Sequence, residues 1–298
     1  MSNDRKYYIE YLLFRGIEKL IHILPGFAIE ALASFLAFLG FSVLKYRRKV
    51  ALENLARAFP EKPVAERMRI ARESYRHFAL LMLEFMKISS WDLPKLESMM
   101  QFDQPDTMQR LVKSYGGKGF VLVTGHFGNW ETIAAYLAAK YFPGGMGIIK
   151  KQRNHYIDKH VIDMRKRWQL EMTYTRGAIE NCLVNIKKKR FSGLLCDQDA
   201  GKKGVFVQFL NQQASTPVGA ALLHLRSGAP LVFGYCVRDG LFNYRCRFKE
   251  INVPTNGEIS TENLTAVTAA FTAELEKAVR QFPEQYLWLH RRWKTKPE

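Results

Sequence analysis

The residues best suited to chemistry in this chain lie in the stretch HFGNWE at positions 126–131. An apolar run, residues 120–124, leads into it, and a helix-forming run, residues 132–139, follows it. This order predicts a strand, a tight turn and a helix, with His126 at the end of the strand and Glu131 in the first helical turn. We expect the two side chains to face each other across the turn.

That arrangement suits proton abstraction from a hydroxyl group. A neutral imidazole accepts such a proton when its other ring nitrogen is held and its charged form is stabilised, and a nearby carboxylate does both. The stretch contains no Ser or Cys that would act as a nucleophile, which favours direct transfer without a covalent enzyme intermediate. A purely structural interpretation is the alternative: the helix dipole alone favours Glu131 in a first turn, and a His at a strand end also serves to cap a loop.

The composition indicates a folded, strongly basic protein. The chain has 298 residues, of which 47% are hydrophobic and 13% aromatic, enough for a sizeable core in one large domain or two modest ones. Lys and Arg number 45 against 28 Asp and Glu, giving a formal net charge of +17. This excess indicates an anionic partner: nucleic acid, a membrane surface or an acidic substrate.

The four cysteines, Cys182, Cys196, Cys236 and Cys246, form no C-x-x-C pair. This spacing gives little support to a metal site or a redox pair. We expect buried free thiols in a reducing compartment.

The N-terminal region carries the longest apolar run, residues 26–44, with Glu30 as its only charge and a basic cluster directly after it, residues 45–49. No cleavable signal peptide is expected. The run is barely as long as the roughly 20 residues of a membrane span. It is consistent with a spanning anchor, with an interfacial helical hairpin whose cations meet anionic headgroups, or with a buried core helix.

Beyond this region, predicted strands and helices alternate from residue 120 onward. This pattern predicts an α/β fold with a mainly parallel or mixed sheet flanked by helices. We place a membrane-associated helical region at residues 1–45 and an α/β domain at residues 46–298. The HFGNWE stretch then lies at the carboxyl end of its strand, where open α/β sheets place their sites.

Three further charged stretches are predicted to join this site, although each would also fit an ordinary solvated face. One follows a strand predicted at residues 147–150 and continues into a helix predicted at residues 154–170. The second follows a strand predicted at residues 191–196, and the third lies near residue 290. Their candidate binding residues are Lys150, Lys151, Asn154, Arg165, Asp197, Asp199, His290, Arg291 and Arg292.

The stretch at 126–131 resembles the H-x4-D/E motif of glycerolipid-type acyltransferases. Asn154 with Asp158 and Arg165, the runs DQDAG at 197–201 and FVQF at 206–209, and the ending YLWLHRRWKTKP at 286–297 resemble the bacterial lipid A late acyltransferases, the lauroyl and myristoyl transferase family. The likeness runs from about residue 46 to residue 297 in the same order. Where that family often has Tyr-Arg-Pro, this chain has Ile149-Lys150-Lys151, so Lys point charges replace a bidentate Arg.

The resemblance implies a glycerolipid-acyltransferase-like fold and a cytoplasm-facing enzyme at the bacterial inner membrane that needs no metal or organic cofactor. The acyl donor would be acyl carrier protein and the acceptor a phosphorylated, Kdo-bearing lipid A precursor, both anionic. His126 would deprotonate an acceptor hydroxyl and Glu131 would orient His126. Arg165 and nearby cations would bind acceptor anions and help the oxyanion, as would backbone N–H groups around Gly128, while Asp197 and Asp199 would fix Arg165 or loop geometry.

Two rival functions remain at this stage. One is an acyltransferase with another acceptor, such as a phosphatidylinositol mannoside, a lysophospholipid or an aminolipid. The other is a basic membrane-surface or nucleic-acid-binding protein without catalysis, which predicts salt-dependent binding to polyanions and indifference to the loss of His126. The ordered set of site segments is more specific than charge alone and favours an enzyme that binds no nucleic acid.

Overall fold

The computed structural model describes residues 3–103, 106–115 and 117–297. The helices are α1 Asn3–Ile23, α2 Gly26–Phe38, α3 Arg48–Ala58, α4 Val64–Ile88, α5 Leu93–Glu97, α6 Thr107–Tyr115, α7 Trp130–Lys140, α8 His155–Lys166, α9 Ala178–Lys187, α10 Gly219–Ser227 and α11 Thr261–Gln281. The strands are β1 Met100–Phe102, β2 Phe120–Thr124, β3 Met146–Ile149, β4 Glu171–Tyr174, β5 Phe191–Leu195, β6 Val205–Phe209, β7 Gln212–Thr216, β8 Leu231–Arg238 and β9 Tyr244–Glu250. A π-helical turn, Leu39–Val43, continues α2, and 3-10 turns occupy Gly201–Lys203 and Pro283–Gln285.

Seven strands form one mixed sheet in the order β1-β9-β8-β2-β5-β3-β4. All neighbouring pairs are parallel except β8 with β9, which pair antiparallel. The remaining strands, β6 and β7, form a separate antiparallel hairpin. This arrangement confirms the predicted mixed α/β class.

The central strand β2 is buried on both faces, which explains its unbroken apolar sequence. Phe120 and Leu122 pack into the core formed with α5, α6 and α7. Val121 and Val123 point the other way, into the larger core formed with α3, α4, α9, α10 and α11. Rigid packing on both sides therefore fixes the carboxyl end of β2, where the HFGNWE stretch begins.

The first two helices rest on the α/β domain. Ile29 and Ala33 of α2 share a small apolar core with Leu80 and Leu83 of α4. Among the described residues, one helical stretch, Gly26–Val43, is long and apolar enough to cross a membrane, with a mean hydropathy of 1.8 and 22% of its residues buried.

All four cysteines are free and buried, as predicted. Cys236 and Cys246 lie opposite each other on β8 and β9, with their sulfur atoms 3.2 Å apart. Burial raises the pKa of the Cys196 thiol to about 12, so it stays protonated near neutral pH. The cysteines therefore act as small apolar core residues.

Candidate active site

The site forms where β2 and β5 end side by side. These strands are parallel neighbours, and Thr124 is paired with Leu195 at their carboxyl ends. His126 and Asp197 each lie two residues beyond that pair, so both side chains reach the same edge of the sheet. This is the edge at which open α/β sheets place their sites.

Asp197 holds His126 through two hydrogen bonds. The backbone N–H of His126 donates to Asp197 Oδ2 at 2.9 Å, and His126 Nδ1 donates to Asp197 Oδ1 at 2.8 Å. A carboxylate accepts only, so Nδ1 carries the hydrogen and Nε2 is left as the basic nitrogen. The side-chain amide of Gln198 lies 3.4 Å from Nε2, and the ring of Trp130 packs edge-on against the imidazole.

The charge of Asp197 governs the basicity of His126. Burial by itself would lower the pKa of His126, but the attraction of Asp197, its hydrogen bond and a smaller contribution from Glu131 raise that pKa above the usual 6.5. Asp197 is 3% exposed, and although burial would raise the pKa of its carboxyl, the imidazole charge and hydrogen bonds of His126 hold it below the usual value. The pair is therefore built to stabilise an imidazolium.

The predicted contact between His126 and Glu131 is wrong: Glu131 instead forms a bidentate ion pair with Arg165. Arg165 Nε and Nη2 donate to the Glu131 carboxylate at 3.0 and 2.7 Å. The reason is the start of α7, where the Asn129 side chain accepts a hydrogen bond from Thr132 N at 3.0 Å and fixes the first helical turn. Glu131 then faces the last turn of α8, which carries Arg165.

The turn itself leaves no backbone donor for an oxyanion at Gly128 or Asn129, contrary to expectation. Gly128 N donates to Gln285 O at 3.0 Å, and Asn129 N donates to Cys236 O at 2.7 Å. Gly128 adopts φ +60, and a Cβ there would lie 2.0 Å from Cys236 O. Only glycine fits this close approach of two backbones.

A buried polar network holds the turn between β2 and α7 in place through Asn129. Asn129 Nδ2 donates to Glu84 Oε2 at 3.2 Å and to Tyr244 Oη at 3.1 Å. Glu84 is fully buried and forms an ion pair with Arg238. These contacts join Asn129, Glu84, Tyr244 and Arg238 into one network, which holds the amino end of α7 in one position.

His126, Glu131 and Arg165 line one open cavity of about 250 Å3. Its other walls come from β3, β5 and α8, and they include Lys150, Gln152 and Asp158. A narrow apolar slot adjoins it between α7 and the sheet, and Glu131 and Arg165 line both spaces. Of the described residues around the open cavity, none is a serine or a cysteine.

The predicted binding residues that follow β3 lie in different surroundings. Lys150 lines the cavity beside Arg165. Lys151 is exposed and lies over the Tyr174 ring, 5.9 Å from its centroid. Asn154 is buried and caps α8, accepting from the backbone N–H groups of residues 156 and 157, while its amide donates to Tyr7 O at 2.8 Å. Its contacts are structural, and they join α8 to α1.

Asp199 and His290 organise the loops around the site. The Asp199 carboxylate accepts from Thr295 N at 3.0 Å and from Thr295 Oγ1 at 2.9 Å, while the Asp199 backbone N–H donates to His290 Nε2 at 2.9 Å. The expectation that Asp199 fixes loop geometry therefore agrees with its contacts. Asp197, in contrast, contacts His126 and not Arg165, because it follows the strand that is paired with β2.

Arg292 and Arg291 differ sharply in their surroundings. Arg292 is 2% exposed and donates to Ser215 O and Thr216 Oγ1, each at 2.5 Å. Arg291 is exposed. The guanidinium of Arg292 ties the segment after α11 to β7, and its predicted substrate contact stays a prediction.

Gln198 and Trp130 contact His126 but were not predicted as site residues. Both adjoin predicted residues in the chain, so their positions next to Asp197 and Glu131 were the available signal. Asp158 was noted beside Arg165, and its buried carboxylate accepts from Gln152 N at 3.0 Å and from Tyr174 Oη at 2.5 Å. It shapes the wall of the cavity.

Comparison with known proteins places this site in a defined family. Residues 3–295 match the family model described as bacterial lipid A biosynthesis acyltransferase. The chain is 27% identical over 291 residues to the lipid A biosynthesis lauroyltransferase of Escherichia coli K12, covering 95% of this chain and 90% of that protein.

Two other relatives are named for a different acyl group or a different acceptor. The lipid A biosynthesis palmitoleoyltransferase of Escherichia coli K12 is 25% identical over 85% of this chain and 81% of its own length. The phosphatidylinositol mannoside acyltransferase of Mycolicibacterium smegmatis is 21% identical over 80% of this chain and 77% of its own length. Since the family model covers nearly the whole sequence, the chain belongs to the bacterial lipid A biosynthesis acyltransferase family.

Proposed function

We propose that this acyltransferase moves a fatty acyl chain from acyl carrier protein to a hydroxyl group of a Kdo-containing lipid A precursor, with His126 as general base. The observation that carries this proposal is the hydrogen bonding of His126. Asp197 holds Nδ1, and His126 lines a cavity that Glu131 and Arg165 also line. Gln198 near Nε2 marks the place that a substrate hydroxyl would take.

In the first step, His126 Nε2 takes the proton of the acceptor hydroxyl while its oxygen attacks the thioester carbonyl. The C–O bond forms, the carbonyl oxygen becomes an oxyanion, and Asp197 stabilises the imidazolium. In the second step, the C–S bond breaks and the imidazolium returns its proton to the leaving thiolate. The absence of Ser and Cys from the described lining of the cavity supports this direct route.

Arg165 is proposed to stabilise the oxyanion and the anionic groups of the acceptor. Its pair with Glu131 uses two of the five N–H donors of a guanidinium and holds its plane in one orientation. The proposed role of Glu131 is therefore to position Arg165. Lys150 adds a further cation on the same cavity wall, which favours an acceptor bearing phosphate or carboxylate.

The apolar slot is proposed to take the acyl chain. It runs between α7 and the sheet and is lined by Ile133, Ala134, Leu194 and other apolar residues. Because Glu131 and Arg165 line both the slot and the open cavity, a thioester carbonyl at the junction would lie beside the polar groups. No bound cofactor takes part in the proposed steps.

The partners of this reaction are proposed on charge and family grounds. Acyl carrier protein is acidic, the acceptor is an anionic glycolipid, and this chain carries +17. Complementary charge raises association rates at low ionic strength. The proposed location is the cytoplasmic face of the bacterial inner membrane, where both substrates would meet the enzyme, and no nucleic acid is among the partners.

The test is acyl transfer by the purified full chain with defined donors and acceptors, read by mass spectrometry. Acyl-acyl carrier protein and a Kdo-containing lipid A precursor should give the highest kcat/KM, with one acyl group added through an ester. A matched reaction without the precursor measures hydrolysis of the donor. Absence of acylated precursor in a folded preparation that acylates another lipid would overturn the proposed acceptor.

A second acceptor class is favoured by one comparison. The relative named phosphatidylinositol mannoside acyltransferase shares 21% identity over 80% of this chain. A phosphatidylinositol mannoside, a lysophospholipid and an aminolipid therefore belong in the same acceptor panel. A kcat/KM about tenfold higher for any of them than for the lipid A precursor would assign the acceptor to that class.

A further inference from the structure

Two adjoining helices expose large apolar side chains to the outside of the molecule. On α1, Leu13, Ile17 and Leu20 are 51–64% exposed and recur at spacings of three and four residues. On α2, Phe27, Phe35 and Phe38 are 58–76% exposed. Large exposed apolar faces in soluble surroundings are unfavourable and mark an interaction site.

Both ends of the apolar segment touch the same α/β domain. At its beginning, Gly26 lies so close to the turn between β8 and β9 that a Cβ there would be 2.9 Å from Leu241 Cδ2. Just after its end, Arg47 Nη1 donates to Leu289 O at 3.1 Å. A membrane-spanning helix places its two ends on opposite sides of the bilayer, which these contacts do not permit.

The neighbour of α2 also argues against a spanning orientation. Arg76 of α4 pairs with Glu30 at 3.5 Å and its Nε donates to Ser34 Oγ at 3.2 Å. Arg72 of α4 lies over the Phe41 ring, 5.6 Å from its centroid. A spanning α2 would carry these guanidinium groups into the hydrocarbon, where charged side chains are costly.

We propose that α1 and α2 lie in the plane of one anionic phospholipid leaflet, with their apolar side chains embedded, and that no part of the chain described here crosses the bilayer. Charge supports this choice of occupant. Lys19 on α1 and Lys45, Arg47 and Lys49 after α2 are all exposed near the apolar face. In-plane amphipathic helices bind by such a combination of apolar burial and attraction to acidic headgroups.

The embedded face continues toward His126 along α4. Met82 is 50% exposed, and Phe78 and Phe85 flank it at spacings of four and three residues. The Phe78 ring lies 6.0 Å from that of Trp130, and the Phe85 ring centroid lies 5.0 Å from Arg165 Cζ. This apolar stripe gives a lipid acceptor a lateral path from the leaflet to the cavity, and this part of the proposal rests on the proposed function.

The orientation is tested with single reporters on the full chain, added to preformed vesicles of phosphatidylethanolamine and phosphatidylglycerol. Ile23→Cys and Tyr46→Cys place the fluorophore NBD before and after the apolar segment, and the native cysteines are buried. Dithionite added outside should reduce both probes completely. Protection of either probe would show that the segment spans the bilayer and would overturn the proposal.

Phe35→Cys, labelled with the same fluorophore, tests how deep the apolar face lies in the leaflet and whether lipid covers it. Lipids brominated near the headgroup should quench this probe more strongly than lipids brominated at the chain end. Stronger quenching by the chain end would contradict an in-plane seat. Lack of quenching by either lipid, together with a probe response that depends on protein concentration, would show that a second copy of the chain covers this face.

The energetic contribution of the face is tested without any assay of activity. The triple variant Leu13→Glu/Ile17→Glu/Phe35→Glu should lower vesicle affinity by about a hundredfold or more, because three large apolar groups no longer enter the leaflet. Val184→Glu is the matched control, since Val184 is 52% exposed on α9, and its vesicle affinity should match that of the wild type. Equal losses in both proteins would overturn the proposal.

The lateral path has its own readout, so its failure is distinct from failure of the chemistry. Met82→Glu should raise KM for acceptor presented in vesicles by about tenfold, because a charge is placed on the apolar stripe, while kcat changes by less than about threefold. An unchanged KM in an active enzyme would overturn the path alone. An inactive wild-type enzyme on every acceptor tested would instead overturn the proposed function and leave the vesicle results standing.

Discussion

At the scale of single residues, Asp197 decides how His126 behaves as a base. In the proposed mechanism the neutral form of His126 accepts the proton, and Asp197 raises the pKa of that imidazole against the lowering effect of burial. The rate should therefore rise with pH through an acid limb above 6.5. In Asp197→Asn, burial is no longer opposed, so we expect the acid limb to move to lower pH while kcat falls by about a hundredfold or more.

Asp199→Asn is the matched control for that pH profile. Asp199 lies two residues away but contacts Thr295 and His290 rather than His126. The measurement is kcat against pH for the wild type and both variants. An acid limb that stays in place in Asp197→Asn, or that moves equally in Asp199→Asn, would contradict the role of Asp197.

The pair of Glu131 and Arg165 is expected to act as one unit. Both side chains are largely buried, so removing one charge leaves the other poorly solvated. Glu131→Gln should lower the free energy of unfolding by about 2 to 4 kcal/mol. Glu131→Gln/Arg165→Gln should lose less than the sum of the single changes in chemical denaturation. Additive losses would show that the two side chains are not coupled.

Residue types, spacing and the family resemblance together predicted His126, Glu131 and Arg165 as neighbours of one site. They were not enough to predict which carboxylate holds the imidazole, because His126 and Asp197 meet only through the pairing of β2 with β5. The corresponding signal was present, since both follow a predicted strand. Asn154 shows the reverse case, where a polar residue beside charged ones caps a helix.

At the scale of elements, the strand–turn–helix unit depends on the close approach of Gly128 to β8. Gly128→Ala places a Cβ 2.0 Å from Cys236 O at φ +60, so we expect a loss of about 3 kcal/mol or more and a large loss of activity. Gly177→Ala is the control, because Gly177 has φ +76 with nothing within 4 Å, and should cost about 1 kcal/mol. Thermal or chemical denaturation measures both, and equal losses would contradict the role of packing.

Strong hydrophobic patterns predicted the inner elements well. The sequence predicts strands at residues 120–124, 191–196 and 231–237, a long helix after residue 63 that ends at about residue 88, and a final helix at residues 262–281. The observed β2, β5, β8, α4 and α11 lie within two residues of these bounds. The sequence did not predict β4, β7 or α3. The strands β4 and β7 are short and partly polar, and the many polar residues of α3 obscure the apolar positions that pack on α4. Those elements form because of their neighbours in the fold, which a single stretch does not reveal.

At the scale of the whole molecule, the charge of +17 predicts electrostatic steering of an acidic donor. We expect kcat/KM for acyl-acyl carrier protein to fall by about tenfold between 50 and 500 mM NaCl. An uncharged acyl-pantetheine thioester is the control and should show a much flatter dependence. The same slope for both donors would contradict recognition of the carrier protein by charge.

Composition and the apolar run at residues 26–44 indicated membrane attachment, but they left a spanning anchor and an interfacial hairpin open. The choice depends on where the two ends of the run rest, and those contacts join residues far apart in the chain. The predicted domain boundary at residue 45 gives no information on how the two regions pack. In the structure, α4 shares a small core with α1 and α2 and also contributes to the larger core that contains β2.

The most direct test of the central claim is the single-turnover rate of acyl transfer by purified, folded His126→Ala, measured by mass spectrometry of the acceptor. A general base held by Asp197 predicts a rate lower than that of the wild type by about a hundredfold to ten-thousandfold, with donor and acceptor still bound. A near-wild-type rate in this variant would contradict the account.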